Sequence, residues 1–123
     1  MVNRSQQFGI DSENLAEVFL KHTGYRIVAR NYRNTIGEID IIAREGRTLV
    51  FVEVKARRNP RFGSAKTAIT REKKMRLTRT ALWYLKETGQ SDISARFDVV
   101  TVDGTGPNRK MDIIRNAFDI APR

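Results

Sequence analysis

The sequence predicts an α/β fold, a mixed sheet with helices packed against it, and three observations predict it. Five short stretches read as strands, with apolar and polar residues alternating most clearly in the first three. Two longer stretches carry apolar residues at helical spacing and are closed by Gly24 and Gly89, the residue type that most readily ends a helix. The stretches follow one another in the order α-β-β-β-α-β-β, which suits a mixed sheet better than separate helical and strand domains. At 123 residues, 40% of them hydrophobic, the chain is one domain with a modest core.

Taken in order, residues 1–10 read as a flexible N-terminus, and 11–123 as the single domain. Asp11-Ser12 supplies helix N-cap chemistry, and the helix runs to about His22 with Leu15, Ala16, Phe19 and Leu20 as its buried stripe. Glu13 lies at the edge of that stripe, in a first turn where the helix dipole favours an acid. Residues 25–33 (YRIVARNYR) form a strand, and Asn34-Thr35 with Gly37 turns it into the next.

The stretch from Gly37 to Lys55 (GEIDIIAREGRTLVFVEVK) reads as a hairpin turning near Glu45-Gly46. An even-numbered loop there pairs positions summing to 91 and gathers Glu38, Asp40, Glu53 and Lys55 onto one face, beside Ile42, Leu49 and Phe51. Ile39, Ile41 and Ala43 point the other way. Two carboxylates about 4 Å apart repel by roughly 4 kcal/mol at an effective dielectric near 20, more than one lysine offsets. A divalent cation with oxygen ligands would offset it better. On spacing alone, the charged face of a half-exposed hairpin explains the pattern equally well.

After Lys55, residues 56–70 (ARRNPRFGSAKTAIT) read as a loop. A second helix covers about Ala68 to Lys86, its stripe formed by Ile69, Leu77, Thr80, Ala81 and Tyr84. Lys73 falls near the middle of that stripe. An ammonium there needs an acid or a phosphate, with the carboxylate face as the obvious partner, or it snorkels to solvent. Residues 96–102 (RFDVVTV) form a strand, and a last short strand lies around Met111 to Arg115. Trp83 and Phe118 read as core, with an apolar contact surface as the alternative.

The net charge of +9 is confined. From Lys55 to Arg79 there are ten basic residues and one acid, a net of +9, so the rest of the chain balances to zero. Such a block favours polyanions through phosphate contacts and counterion release; a solvated basic face is the plainer account. The chain has no cysteine and one histidine, His22. Disulfides, thiolate zinc sites and cysteine nucleophiles are excluded, and a Ser-His-Asp triad is disfavoured. With no apolar run near 18 residues and no signal-like N-terminus, the expected location is the cytoplasm.

An acid on the first helix, then GEID, then E-V-K at a strand end, resembles the PD-(D/E)XK nuclease superfamily. GEIDIIAREGRTLVFVEVKARRNPRFG followed by RFDVV is more narrowly similar to the YraN-like family, predicted endonucleases thought to be distantly related to archaeal Holliday junction resolvases. The resemblance implies a restriction-endonuclease-like core. It implies that Asp40 and Glu53 bind Mg²⁺ or Mn²⁺ with help from Glu13 and the carbonyl of Val54, and that Glu38 is an accessory acid. Lys55 would orient the attacking water, and Lys73 matches the family's later-helix lysine. No proline precedes Asp40, and Ser12 stands where that family often has glycine.

The expected function is metal-dependent hydrolysis of phosphodiester bonds, in DNA ahead of RNA, with branched or structured DNA as an analogy. Arg57, Arg58, Arg61, Lys66, Arg71, Lys74 and Arg76 would hold the backbone. Analogy with the resolvases allows a homodimer, and the sequence shows no interface for one. The rival is a non-catalytic nucleic-acid-binding module with the same fold.

Overall fold

The structure, a computed structural model, describes residues 1–59 and 69–118. Its elements are α1 (Arg4–His22), β1 (Arg26–Arg33), β2 (Glu38–Glu45), β3 (Thr48–Arg57), α2 (Arg71–Glu87), β4 (Ala95–Asp103), a 3₁₀ turn (Gly106–Asn108) and β5 (Lys110–Phe118). The predicted order and mixed α/β class are both found. The five strands form one sheet in the order β1-β2-β3-β4-β5. Only β3 and β4 run parallel, because α2 lies between them in the chain and a crossover returns the strand in the same direction.

The two helices cover opposite faces. Ala16 and Leu20 of α1 pack with Ile41, Ala43, Val50, Val52, Val100 and Val102. Leu77, Ala81, Tyr84 and Leu85 of α2 pack with Ile42, Leu49, Phe51, Phe97 and Val99. The middle strand is therefore buried on both sides, which is why Leu49-Val50-Phe51-Val52 is an unbroken apolar run. The hairpin is not half-exposed, so its charged residues need another explanation than a solvent face.

Several local expectations are corrected. The first helix begins at Arg4, so most of the segment read as loose is helical. Asn3 is the N-cap: its side chain accepts from the Gln6 N–H, and the Gln6 side chain accepts from the Asn3 N–H. This reciprocal box satisfies two orphan donors at once, and it carries the helix through Gly9, a poor helix former. Helix α2 starts at Arg71, capped by Thr70, slightly later than Ala68. The β2–β3 loop is Gly46-Arg47, with Glu45 opposite Thr48, so paired positions sum to 93. The slip of two preserves parity and brings Asp40 opposite Glu53. Gly46 has φ 59°, a left-handed backbone that suits a two-residue hairpin. Trp83 is 49% exposed, whereas Phe118 stacks on Phe97 at 4.6 Å as core. The loop expected over 56–70 lies mostly outside the described residues.

Strict alternation also fails at the irregularities between Ile27 and Ala29 and between Phe97 and Val99, and next to Asn31, where it bears on the site. Ala29 and Tyr32, three residues apart, pack on the same cluster, as do Ile39 and Ile42. Ile39 was expected to share a face with Ile41, which packs on the other side. The break falls where Asn31, with φ 52°, stands opposite Asp40 in the β1–β2 register. Asparagine tolerates this left-handed conformation better than other side chains. Asn31→Ala is therefore expected to lose about 1 kcal/mol of stability, while Asn31→Gly stays near the parent. Urea unfolding of the three proteins reads this, and equal loss in both variants would show that the backbone there is not the constraint.

Candidate active site

The β2–β3 ladder ends at the Ile41–Val52 pair. Beyond it, β2 stays paired with β1 as far as Glu38, and β3 stays paired with β4 as far as Arg57. The site sits where the two strands part. There Asp40 Oδ2 accepts a 2.8 Å hydrogen bond from the Val54 N–H, a backbone donor that β2 no longer satisfies through its own carbonyls. The Glu53 carboxyl group lines the same cleft beside it.

Two carboxyl groups held side by side out of water favour keeping a proton on one of them. Burial first, and then the Glu53 carboxyl group beside it, push the Asp40 carboxyl up to about 8. The Val54 N–H and Lys73 oppose that rise. Lys73 reaches across from α2 and places Nζ 3.2 Å from Glu53 Oε2. The predicted partner of Lys73 is the one found. These groups line a cleft of about 220 Å³ with Gly37, Glu38, Arg76, Leu77 and Thr80. Gly37 is needed for the approach of α2, since a Cβ there would stand 2.8 Å from Thr80 Oγ1.

The other expected site residues sort differently. Lys55 lies on the Glu53 face by alternation, because Val54 and Ala56 pack with the α1 cluster; it is not part of the cleft lining. Glu13 faces Arg30, with Nη2 at 3.4 Å. Burial raises the Glu13 carboxyl, and the charge of Asp40 adds to that. Glu38 pairs with Arg33 at 3.0 Å. Among the described residues no three acids or histidines converge as a ready metal cage; of the four expected acids, Glu38 joins Asp40 and Glu53 in the cleft lining and Glu13 does not. Val54 enters through its amide N–H.

Of the expected backbone-binding residues, Arg57 is tied to Asp103, its neighbour on β4, at 2.9 Å. Arg58 lies over the Phe8 ring at 4.6 Å, and Lys74 lies over Phe118 at 5.7 Å. Arg71 and Arg76 are exposed on α2. Arg61 and Lys66 lie outside the described residues.

A second polar centre went unread in the sequence. Asp98 is fully buried and accepts from the Tyr25 hydroxyl at 2.7 Å, Arg96 Nε at 2.9 Å and the Asn116 N–H at 2.9 Å. Arg96 continues to Glu45 at 2.6 Å. Every partner is internal, so the network ties β4, β5 and the start of β1 together. Its signal was present as one acid inside the apolar run FDVV.

A divalent cation fits the donor set of the cleft. Asp40 and Glu53 are two crowded carboxyl groups, and hard cations commonly take one or two carboxylates and complete their shell with water and phosphate oxygens. The crowding shows in the raised Asp40 carboxyl and in the ammonium that Glu53 recruits.

Residues 12–102 match the model of the family described as "Uncharacterised protein family UPF0102". A UPF0102 protein of Desulfosudis oleivorans is 56% identical over 119 residues, covering 97% of this chain and 95% of that one. One of Symbiobacterium thermophilum is 47% identical, covering 93% and 98%. One of Geobacter sulfurreducens is 42% identical, covering 92% and 89%. Among solved structures, the Holliday junction resolvase Hjc of Archaeoglobus fulgidus aligns with TM-score 0.47 at 20% identity, covering 86% of this chain and 75% of that one. On the family model and these relatives, the chain belongs to the UPF0102 family, the YraN family that its motifs resemble.

Proposed function

We propose that this protein is a divalent-metal-dependent endonuclease acting on DNA. The observation that carries the reading is the buried Asp40–Glu53 carboxyl pair in a cleft that also presents Lys73 and Arg76. A protein gains no stability from two acids pressed together, so the pair makes sense as a site for a cation and a phosphate. Asp40 and Glu53 would hold Mg²⁺ or Mn²⁺, which supplies positive charge to the phosphate and a more acidic bound water. Lys73 fixes Glu53 and adds charge at the cleft. Lys55 would enter from the same strand face to orient the water. Hydrolysis joins the water oxygen to phosphorus and breaks one phosphorus–oxygen bond to sugar, leaving a phosphate monoester and a hydroxyl. Arg71 and Arg76 would hold the backbone, with no group placed to read base edges, so structure rather than sequence is the basis of choice. Glu13 would contribute from α1, where the charge of Asp40 already reaches it.

A non-catalytic DNA-binding module has one observation in its favour: among the described residues no three acids or histidines are close enough together to cage a metal ion. The experiment incubates the protein with duplex, single-stranded and four-way-junction DNA, with Mn²⁺ and with chelator. Metal-dependent products on any substrate establish the enzyme. Salt-sensitive binding with no product on all three establishes the module. Sedimentation with and without junction tests the homodimer.

A further inference from the structure

The solvent side of α2 carries more than charge. Met75, Arg79 and Trp83 recur every four residues, and Arg76 lies on the same side. Trp83 and Met75 are 49% and 42% exposed, and Ile36 beside them is 37% exposed. Ile36, Met75, Arg76 and Arg79 line a second depression with Glu72. Arg76 also lines the carboxylate cleft, so the two depressions share a wall. Single exposed apolar side chains are ordinary, but apolar side chains gathered beside one depression mark a partner surface.

We infer that this face is a track for a single strand of DNA leading into the carboxylate cleft, with bases on Trp83 and against Met75 and Ile36, and phosphates on Arg76 and Arg79. The inference rests on reading that cleft as the place where a phosphodiester is cut. Charge decides the occupant. Arg71, Arg76 and Arg79 make no ion pair among the described residues, so three cations on this one helix are open to an anionic ligand. A second copy docking here by two-fold symmetry would bring the same arginines face to face. A strand of nucleic acid brings phosphates to them and offers a flat face to each apolar group. Aromatic side chains interleaved with cations are what strand binding without sequence preference requires. In a continuous duplex the base faces are stacked inside and cannot reach Trp83. The preferred substrate therefore has unpaired bases next to the cut.

Trp83 is the chain's single tryptophan, so its fluorescence reports this surface directly. The full chain in chelator is titrated with oligothymidylate of about 16 nucleotides and with a blunt duplex of the same length. Saturable quenching by the single strand, with little by the duplex, is expected. Trp83→Ala and Met75→Ala, followed by fluorescence anisotropy of labelled oligonucleotide, should each weaken single-strand binding about tenfold and leave duplex binding unchanged. Equal quenching by both forms, or no effect of either variant on single-strand binding, overturns the track. So does a concentration-dependent blue shift of Trp83 with dimer formation, which assigns the face to a second copy. No metal is present in these titrations. Loss of binding with cleavage intact sinks the track alone, and binding without cleavage on any substrate sinks the nuclease reading alone.

Discussion

Asp40→Asn is expected to lower metal-dependent cleavage by about 10³-fold and, at neutral pH without metal, to make the protein more stable. The two effects have opposite signs, which separates a functional group from a structural one. The stability gain follows from the proton that Asp40 retains. Its carboxyl is raised from 3.8 to about 8 in the folded state, by burial first and then by Glu53. Between those values the native protein binds a proton that the unfolded chain has released. Stability from this group is therefore full below about pH 4 and is lost as pH rises toward 8. Asparagine keeps the geometry, accepting from the Val54 N–H and donating to Glu53, with no proton to lose. One unit of such a shift is worth about 1.4 kcal/mol, so the gain at pH 7 should reach at least that, or roughly 5 °C in melting temperature. At pH 4 the two proteins should melt together. Thermal melts at both pH values, beside a cleavage assay with Mn²⁺, read the prediction. A variant that still cuts, or one that is less stable at pH 7, would show that Asp40 serves the fold.

The second large effect is expected at Lys73. Glu53 keeps only 8% of its side chain exposed, and Lys73 is its one ion-pair partner among the described residues. Lys73→Met retains the stem that packs along α2 and removes the charge. Breaking a buried pair by deleting one partner costs about 3–5 kcal/mol. The Lys73 side chain is itself 39% exposed, so water screens part of that, and about 1–2 kcal/mol is the expected loss without metal. Lys73 also opposes the rise of Asp40, so its removal extends the decline of stability to higher pH. Saturating Mn²⁺ should shrink the loss, because a cation held by Asp40 and Glu53 does the same electrostatic work. Cleavage should still fall about 10²-fold. Urea unfolding with and without Mn²⁺ tests this. The same destabilisation in both conditions would mean that Lys73 braces the helix and has no part in the site.

The elements were legible because they rest on local rules. Period-two apolar runs gave the strands, and the stripe Leu77, Ala81, Tyr84 gave α2. Glycines 24 and 89 gave the helix ends. The start of α1 was missed because its signal is a reciprocal pair, Asn3 with Gln6, which carries no apolar period. The carboxylate face was legible through parity, which survives a turn displaced by two in the paired sum. The reversal at Asn31 was not, since only φ reveals it.

Sequence by itself determined the order of elements, the confinement of the positive charge and the shared face of Asp40 and Glu53, while it put Asp40 opposite Phe51 and left Lys73 between an acid and solvent. Each follows from covalent neighbours, from pleat and helix periods, or from the cost of an unpartnered charge on an apolar stripe. Tertiary structure alone decided that α2 would bury the Leu49–Phe51 face, turning crowded surface acids into a buried pair with a retained proton. It alone turned Glu13 and Glu38 toward Arg30 and Arg33, and left Trp83 in solvent. Burial and long-range charge pairing depend on which elements meet, and that is set by the closing of the whole sheet and not by any one stretch of chain.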